Sequence, residues 1–335
     1  MRAVIHERYG SPDELEVRDV PVPMAGEGQV LVRVNASSVH PDVWHVITGT
    51  PAVLRIMGAG LRRPNRRIPG TDLSGVVDAV GPGVTRFAPG DPVFGEVVKV
   101  IQWRNAGTWA EFAAVDAELL EPVPDGMPYE EAAAVPTSGL IALRALRDQG
   151  RLRAGQRVLV NGAAGGVGGF AVQIATAWGA EVTGVDRTEK LDLVRSFGAA
   201  HVVDAADDYT RTDERYDLVL DIPGHPPFRR ARRVIAPGGS YVLIGHDAFG
   251  ARGHRWIGSL GTFAIQLLMS PFVGPLHGFR GASGATTDDL GLLKALIDDG
   301  KLRVTVDRTF PLEEAGAAIE YLASGQARGR IVVTP

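Results

Sequence analysis

The sequence predicts an α/β protein in which a doubly wound parallel sheet is inserted into a smaller, barrel-like β domain. Apolar strands alternate with helical stretches between residues 157 and 244, which is typical of a parallel sheet with helices on both faces. Short strands between glycine and proline residues fill residues 1–115, as in a small closed barrel. The parallel sheet does not need the elements after residue 302, so the C-terminus is expected to return to the first domain.

Length and composition narrow the possible classes. A chain of 335 residues is long for one core and suggests two domains. Its net charge of −4 gives no reason to expect nucleic acid, and no apolar run approaches the ~20 residues of a membrane span, so neither nucleic acid nor a membrane is expected as a partner. The absence of cysteine excludes disulfides and thiolate chemistry. The charged N-terminus lacks the apolar core of a signal peptide, so a cytoplasmic protein is predicted.

The first domain reads as β structure from its start. Apolar runs separated by glycine- and proline-rich breaks predict strands at residues 3–7, 15–23 and 30–36. Further short strands are predicted within residues 68–95 and at 111–115. The proline-rich stretch 120–126 is interpreted as the crossing to the second domain.

The stretch from Arg157 to Asp186 carries the strongest chemical signal. A buried strand is followed by the turn Ala163-Ala164-Gly165-Gly166-Val167-Gly168, a helix, a second strand and an acid. A pyrophosphate approaches main-chain N–H groups at a helix N-terminus, and a Cβ in its path would block it. This arrangement is the dinucleotide-binding fingerprint, although alanine replaces its first glycine. The alternative is a glycine-rich turn in some other α/β protein. The residues predicted to hold the dinucleotide here are Ala163, Gly165, Gly166, Val167, Gly168 and Asp186.

The alternation of strands and helices continues on both sides of this turn. Helix is predicted for residues 129–150 before it, and the strand ends near Gly224 and Gly245 after it are predicted to meet the dinucleotide. The remaining predicted helices are 189–197, 228–235, 256–269, 290–298 and 313–323, and the remaining strands are 201–203, 218–220, 241–244, 302–306 and 331–334. The domain boundaries that follow are 1–124 with 275–335 for the first domain and 125–274 for the second.

Five segments, in this order, resemble one known family. They are IPGTDLSGVVDAVGPGVTRFAPGDPVFG, EEAAAVPTSGLIAL, VLVNGAAGGVGGFAVQIATAWGAEV, YDLVLDIPG and the ending ARGRIVV. The chain resembles the medium-chain dehydrogenase/reductases in their zinc-independent, quinone-oxidoreductase-like branch. The resemblance implies a Rossmann cofactor domain inserted into a GroES-like catalytic domain, with hydride transfer involving NADPH or NADH in the cleft between them. It also implies a cofactor contact for Arg330 and a homodimer built near residues 271–279.

The sequence departs from the zinc-dependent members of that family. Their catalytic metal is held by a cysteine, a histidine and another cysteine, and the matching positions here are His40, Thr71 and Ala134. The resemblance therefore implies that no metal is bound. His40 with Asp72 could still form part of a metal site, because histidine and carboxylate both ligate metals. The branch usually carries asparagine where His40 stands.

The end of the second strand of the cofactor unit bears on the choice of dinucleotide. Asp186 would accept hydrogen bonds from a ribose diol and repel a 2′-phosphate. Arg187 acts in the opposite direction if its guanidinium pairs with that phosphate; otherwise it stacks on the adenine or lies in solvent. The carboxylate favours NAD(H) over NADP(H).

The candidate catalytic residues are His40 and Thr137. An imidazole titrates near neutral pH and suits a proton donor beside the nicotinamide; the alternative is a loop histidine that caps Asp42 or a backbone carbonyl. Asp72 and the tryptophans Trp44, Trp103 and Trp109 are the candidate substrate-pocket residues, although aromatic side chains are as often simple core. Arg62, Arg63, Arg66 and Arg67 form either a solvated loop or a site for an anionic substrate.

Together these features predict a reductase with a small-molecule substrate. A hydride would pass from the nicotinamide to an activated C=C or C=O, as in a quinone, an enone or an enoyl thioester. An alcohol or carbonyl oxidoreductase is the alternative enzyme. A protein that binds the dinucleotide without turnover is the alternative from another class.

Overall fold

The computed structural model describes residues 1–98, 106–245 and 287–335, together with nine positions between 246 and 286. Their contacts divide the chain into two compact units. Unit 1 holds Met1–Leu140, Ala282–Asp298 and Val304–Pro335, and unit 2 holds Ile141–Gly281 and Asp299–Arg303. The C-terminal segment therefore belongs to the same unit as the N-terminal strands, as the sequence predicted.

Unit 1 is built around a mixed sheet of seven strands. Its order is β14-β15-β3-β4-β5-β7, and β6 pairs with β3. The long strand β3 alternates apolar side chains into a buried cluster that includes Val30, Val32 and Val34. The bounds are β3 Gln29–Val39, β4 Asp72–Val80, β5 Pro92–Glu96, β6 Phe112–Asp116, β7 Leu120–Pro122, β14 Val306–Pro311 and β15 Arg330–Thr334, with a separate antiparallel pair of β1 Arg2–Ile5 and β2 Glu16–Asp19.

The helices of unit 1 are α1 Pro41–Thr48, α2 Tyr129–Ala133, α3 Pro136–Arg144, α7 Thr287–Asp298 and α8 Ala315–Ala323. Helix α3 continues into unit 2 after Leu140. Helix α1 begins at a proline, which is favoured in a first turn because its missing N–H has no intrahelical role there, and ends at Gly49 with φ +60°. Helix α8 packs on strands β14 and β15 through Ala315, Ala318 and Ile319. These contacts anchor the C-terminal return in unit 1.

Unit 2 contains a parallel sheet in the order β10-β9-β8-β11-β12-β13. Its central strands are almost wholly buried, as expected where helices cover both faces of a sheet. The order reverses beside β8, which creates the switch point where parallel sheets bind ligands. The bounds are β8 Arg157–Asn161, β9 Glu181–Asp186, β10 His201–Asp204, β11 Tyr216–Asp221, β12 Ile235–Leu243, β13 Leu276–His277, α4 Gly166–Ala177, α5 Leu191–Ser196 and α6 Phe228–Ala231.

Helix α4 also fixes a remote segment of unit 2. Gln173 donates from Nε2 to the backbone carbonyl of Arg303 at 3.0 Å, and its Oε1 accepts from the Arg303 N–H at 2.7 Å. The strand predicted at residues 302–306 is therefore wrong. The backbone of Arg303 is paired to a side chain instead of a strand, and the strand begins only at Val306.

Two further predictions concern the crossing between the domains and the helix at residues 256–269. The chain passes between the units after Leu140, not in the proline-rich stretch 120–126, because β7 pairs with β5 and the backbone carbonyl of Tyr129 accepts from Ser74 of β4. Of the helix predicted at 256–269, the structure describes five positions, and four of them, Gly261, Ile265, Leu268 and Met269, are helical.

No helix among the described residues is long and apolar enough to cross a lipid bilayer.

Candidate functional site

The glycine turn predicted to hold a dinucleotide lies between β8 and α4. Gly162 has φ +83°, a conformation that disfavours any side chain, and Gly165 precedes the helix in an extended conformation. The N–H groups of the first helical residues, Gly166 onward, lack intrahelical acceptors and face the turn. A helix start of this kind binds phosphate groups.

Two glycines of the turn have separate roles. A Cβ on Gly168 would lie 2.0 Å from the carbonyl oxygen of Gly162, so the turn closes only if residue 168 has no side chain. A Cβ on Gly165 would meet only that same oxygen, at 3.3 Å. Gly168 therefore serves the fold, whereas Gly165 leaves space at the helix start.

We expect Gly168→Ala and Gly165→Ala to separate folding from cofactor binding. Gly168→Ala should lower the melting temperature by several degrees, because the turn must open to avoid the 2.0 Å contact. Gly165→Ala should keep the melting temperature and weaken dinucleotide binding, because its methyl group enters the space for the pyrophosphate. Thermal unfolding and fluorescence titration measure the two effects. Equal melting temperatures for the two variants would contradict this division.

The carboxylate of Asp186 is tied to the same turn. Its Oδ2 accepts from the Ala164 N–H at 2.7 Å, and its Oδ1 accepts from the Arg187 N–H at 2.9 Å. Arg187 itself is half exposed and pairs with Glu189 at 3.2 Å. The turn and the acid are thus one hydrogen-bonded unit. Its open helix start and its carboxylate fit the pyrophosphate and the ribose of a dinucleotide.

A buried polar cluster lies at the neighbouring strand ends. Asp221, at the end of β11, accepts from the Tyr241 hydroxyl at 2.6 Å, from Asn161 Nδ2 at 2.9 Å and from the Gly224 N–H at 3.0 Å. Burial raises the pKa of Asp221 to about 6, although these three donors oppose the shift. The cluster fixes the backbone at Gly224, a predicted cofactor contact.

A cavity of about 390 Å³ opens at these strand ends in unit 2. Asn161, Val185, Pro223 and His225 are among its lining residues. Gly245, the other predicted contact, donates its N–H to the carbonyl of Ile222, and a Cβ there would lie 2.7 Å from that oxygen. Carboxyl ends of parallel strands are where such sheets bind ligands.

The candidate catalytic residues meet in unit 1. His40 lies between β3 and α1, and its Nε2 is 2.6 Å from the hydroxyl of Thr71. The Thr71 hydroxyl in turn is 3.5 Å from that of Thr137, at the start of α3. Three elements far apart in the chain thus bring together one imidazole and two hydroxyl groups, all at least 97 % buried.

The charges around His40 set its protonation. Burial lowers the pKa of His40 below its ordinary value of 6.5, and the carboxylates of Asp42 and Asp72 partly oppose this effect. Asp42 Oδ2 lies 3.7 Å from Nδ1 of His40. The imidazole is therefore neutral at rest near neutral pH, and a carboxylate stands near its other nitrogen.

Asp72, predicted as a pocket residue, forms a second layer beneath this cluster. Its carboxylate accepts from the N–H of Ser38 at 2.9 Å and from the Ser38 hydroxyl at 2.6 Å. Arg330, predicted to contact cofactor, donates to that hydroxyl at 3.0 Å and is 7 % exposed. In unit 1 these two residues form a buried charge pair joined by Ser38 that supports the strands carrying His40 and Thr71.

The predicted tryptophans separate into two groups. Trp109 is fully buried in the cluster that also holds Val39, Val43 and Ile47, so it is a core residue. Trp44 packs against the edge of that cluster and is partly buried. Trp103 lies outside the described residues.

Comparison with known proteins supports the sequence resemblance. Residues 26–125 match the model of the alcohol dehydrogenase GroES-like domain, and residues 197–333 match that of the zinc-binding dehydrogenases. The chain is 31% identical to the mitochondrial NAD(P)H oxidoreductase RTN4IP1 of Mus musculus, over 99% of this chain and 89% of that protein. It is 30% identical to the quinone oxidoreductase of Rattus norvegicus, over 99% and 97%.

The chain belongs to the medium-chain dehydrogenase/reductases, in their quinone-oxidoreductase-like branch. A solved structure described as an NAD-dependent alcohol dehydrogenase superposes with a TM-score of 0.82, at 29% identity and with complete coverage of both chains. The predicted fold class is confirmed. This medium-chain reductase is an NAD(P)H-dependent oxidoreductase, and its nicotinamide cofactor follows from the family.

The name of one matching family model raises the question of zinc. Within the described residues, no group of three or more histidine, cysteine, aspartate or glutamate side chains could hold a metal ion. His40 faces the hydroxyl of Thr71, and Ala134 lies in an apolar cluster with Ala36, Ala133 and Val332. This donor set, one imidazole with hydroxyl groups, does not fit a catalytic zinc site, which takes three protein ligands.

Sequence reasoning missed part of both sites. It named neither Ser38, which joins Asp72 to Arg330, nor the cluster of Asn161, Asp221 and Tyr241. A signal for the second group was present, because Asn161 and Asp221 are the last residues of two strands, and polar residues at the carboxyl ends of parallel strands line the ligand crevice.

Proposed function

We propose that this medium-chain reductase transfers a hydride from NADH to an activated C=C or C=O, with quinones as the first substrate class. The observation that carries the proposal is the buried chain of His40, Thr71 and Thr137. It offers hydrogen-bond donors in a water-poor site that has no metal ligand set among the described residues. The relative named quinone oxidoreductase supports the substrate class.

The bound nicotinamide supplies the hydride. The protein's own part is to receive the negative charge that the hydride leaves on the substrate. A hydroxyl group can donate one hydrogen bond while accepting another, so Thr71 can donate to the developing oxyanion while it accepts from Nε2 of His40. For a quinone, one hydride and one proton give the hydroquinone, and the cofactor leaves oxidised. Buried donors aimed at a developing charge stabilise the transition state more than donors in water.

Asp42 positions His40 in this scheme. Its carboxylate, 3.7 Å from Nδ1, favours a proton on that nitrogen when the imidazole becomes charged. Burial works against that charge. The histidine therefore stabilises the anion by hydrogen bonding first and takes part in proton transfer under mildly acidic conditions.

The test is a steady-state survey of quinones, enones and enoyl thioesters with NADH and with NADPH. We expect turnover of quinones with NADH, no loss of activity after dialysis against a chelator, and less than one zinc per chain by elemental analysis. Activity that disappears on chelation and returns with zinc would contradict the metal-independent proposal.

A second candidate is an alcohol or carbonyl oxidoreductase, favoured by the solved structure described as an alcohol dehydrogenase. In that case primary or secondary alcohols with NAD⁺ would turn over faster than quinones are reduced. Tight dinucleotide binding with no turnover of any acceptor would instead identify a binding protein.

We also propose that the protein is a homodimer. The apolar run at residues 269–276 motivates this, and only part of it lies among the described residues. Light scattering that gives the mass of one chain at every concentration would contradict it. The compartment stays a prediction, since the mouse relative is named as mitochondrial.

A further inference from the structure

One surface segment of unit 1 lies between two residues of the candidate catalytic cluster, His40 and Thr71, in the chain. Helix α1 starts directly after His40, and the chain returns to the cluster at Thr71, whose hydroxyl contacts His40 at 2.6 Å. Between them lies the arginine-rich segment, residues 54–67, with the sequence LRIMGAGLRRPNRR. The segment thus lies on the stretch of chain that connects two residues of the candidate site.

The backbone of the arginine-rich segment is held in one conformation. Asn65 closes it, because its N–H donates to the carbonyl of Ala59 at 2.9 Å and its side chain donates to that of Gly58 at 2.8 Å. Arg55 donates from Nε to the Gly49 carbonyl at 2.9 Å. Leu54 and Ala59 are buried beneath it. The segment is therefore an ordered projection whose own apolar anchors are already satisfied.

A second set of apolar side chains points away from the protein. Ile56 is 70% exposed, Leu61 is 68% exposed and Met57 is 47% exposed. Three large apolar side chains exposed within six residues are unusual on a protein surface and mark an interaction site.

Unpaired positive charges accompany these side chains. Arg62 and Arg63 are exposed and form no ion pair within the part of the chain that the structure describes. Arg67 lies 3.5 Å from Glu7, and both side chains are at least half exposed. The segment therefore combines exposed apolar side chains with two guanidinium groups, those of Arg62 and Arg63, that pair with none of the described residues. A partner for this surface would be both negatively charged and apolar.

We propose that the arginine-rich segment binds the surface of an anionic lipid membrane. Ile56, Met57 and Leu61 enter the boundary between headgroups and acyl chains, and Arg62 and Arg63 pair with lipid phosphates. A lipid layer can surround the exposed side chains of Ile56, Met57 and Leu61 on all sides, whereas a partner protein would contact them from one side only. This revises the expectation of no membrane partner, which rested on the absence of a spanning segment and says nothing about surface binding.

The proposal is tested by cosedimentation of the full-length protein with vesicles. The probes are vesicles of phosphatidylcholine alone and of phosphatidylcholine mixed with phosphatidylglycerol. We expect binding to the mixed vesicles, weakened by salt. Arg62→Gln with Arg63→Gln should reduce partitioning roughly 30-fold, since each surface arginine contributes about fivefold. Ile56→Ser with Leu61→Ser, which keeps the charges, should also reduce it.

Two matched controls separate this site from general effects. Arg232→Gln with Arg233→Gln removes a second exposed arginine pair, which forms no ion pair with any residue that the structure describes, from unit 2, and Met24→Ser removes a 90% exposed methionine elsewhere in unit 1. Both should bind vesicles like the unaltered protein, and circular dichroism should show all variants folded. Absence from the pellet with both vesicle types, as expected if the segment served an acidic protein, would overturn the proposal. So would equal binding to neutral vesicles, or an equal loss in the Arg232 and Arg233 variant.

Discussion

Replacing His40 with asparagine is expected to lower kcat for quinone reduction by about 10²–10⁴, the usual contribution of general acid catalysis. The affinity for NADH should stay the same, because the residues predicted to hold the dinucleotide, the glycine turn and Asp186, belong to unit 2. The amide of asparagine ends short of the Nε2 position, which lies 2.6 Å from the Thr71 hydroxyl, so that contact is lost. Because the new side chain is smaller and adds no steric clash, the fold should survive, and the loss should appear in kcat without a matching change in cofactor affinity.

The pH profile gives a second readout for His40. If its protonated form acts as the acid, the rate falls as pH rises through its pKa. Burial lowers that pKa below 6.5, and Arg330 lowers it further, while Asp42 and Asp72 raise it. The net shift is downward, so the falling limb should lie below pH 6.5 and should vanish in His40→Asn. The neighbouring His45 is also buried, and its pKa is lowered by burial and further by the charge of a protonated His40, so His45→Asn should keep the limb.

A matched control for His40 is His6→Asn. His6 is another buried histidine of unit 1, 4% exposed, and none of the charged groups that act on His40 acts on it. This variant should keep kcat and the pH limb. Thr71→Val should lower kcat like His40→Asn, and the double variant should be little worse than either, because the two residues act as one unit. Near-full kcat in His40→Asn with an unchanged profile would make His40 a loop histidine, with water as the proton source.

The second large effect is expected at Asp186. The unaltered protein should bind NADH more tightly than NADPH, since a carboxylate in a poorly solvated crevice repels a 2′-phosphate. The ribose hydrogen bonds to this charged acceptor are worth about 1.5–3 kcal/mol each at most. Asp186→Ser should therefore weaken NADH binding by at least tenfold and narrow or reverse the preference. Fluorescence titration of both cofactors measures it.

The structure supplies a sharper control, because Asp186 also accepts from the Ala164 N–H at 2.7 Å. Serine is too short to keep that bond, whereas Asp186→Asn keeps one acceptor oxygen for the Ala164 N–H, removes the charge and gives up the oxygen that accepts from the Arg187 N–H. Asparagine should therefore relieve the repulsion of NADPH without loosening the turn, and its melting temperature should exceed that of the serine variant. Tighter binding of NADPH than of NADH by the unaltered protein would contradict this prediction. It would indicate that Arg187, by pairing with the 2′-phosphate, determines the cofactor preference.

The cofactor unit was predictable from sequence because its parts are local. The turn from Ala163 to Gly168 and the acid at Asp186 lie within one strand–helix–strand stretch. Local spacing fixes the strand end, the helix start and the second strand end, so the residue pattern is sufficient. The hydrogen bond from the Ala164 N–H to the Asp186 carboxylate shows that the turn and the acid, which the pattern links in sequence, are also in contact in the structure.

The catalytic cluster is different because its members come from distant parts of the chain. From the sequence, only the family resemblance predicts that one site contains His40, Thr71 and Thr137, because no spacing rule connects these residues. Their contacts are seen only in the structure. Their contacts depend on how β3, β4 and α3 pack. The role of Trp109 was open for the same reason, since burial in a core and exposure to a pocket look alike in sequence. The strand predicted at 302–306 is wrong because the side chain of Gln173 binds the backbone N–H and carbonyl of Arg303. The periodicity of apolar residues does not reveal such a contact.

That glutamine gives helix α4 a second task. The first turn of the helix is the predicted site of the phosphate groups, while Gln173 in its middle binds both backbone groups of Arg303, where the chain leaves unit 2 for the last time. A ligand that stabilises the helix also stabilises whatever is fastened to it. Binding of the dinucleotide at the start of α4 should therefore also stabilise the chain around Arg303 against local unfolding. Without the dinucleotide, this segment should separate from the helix more readily.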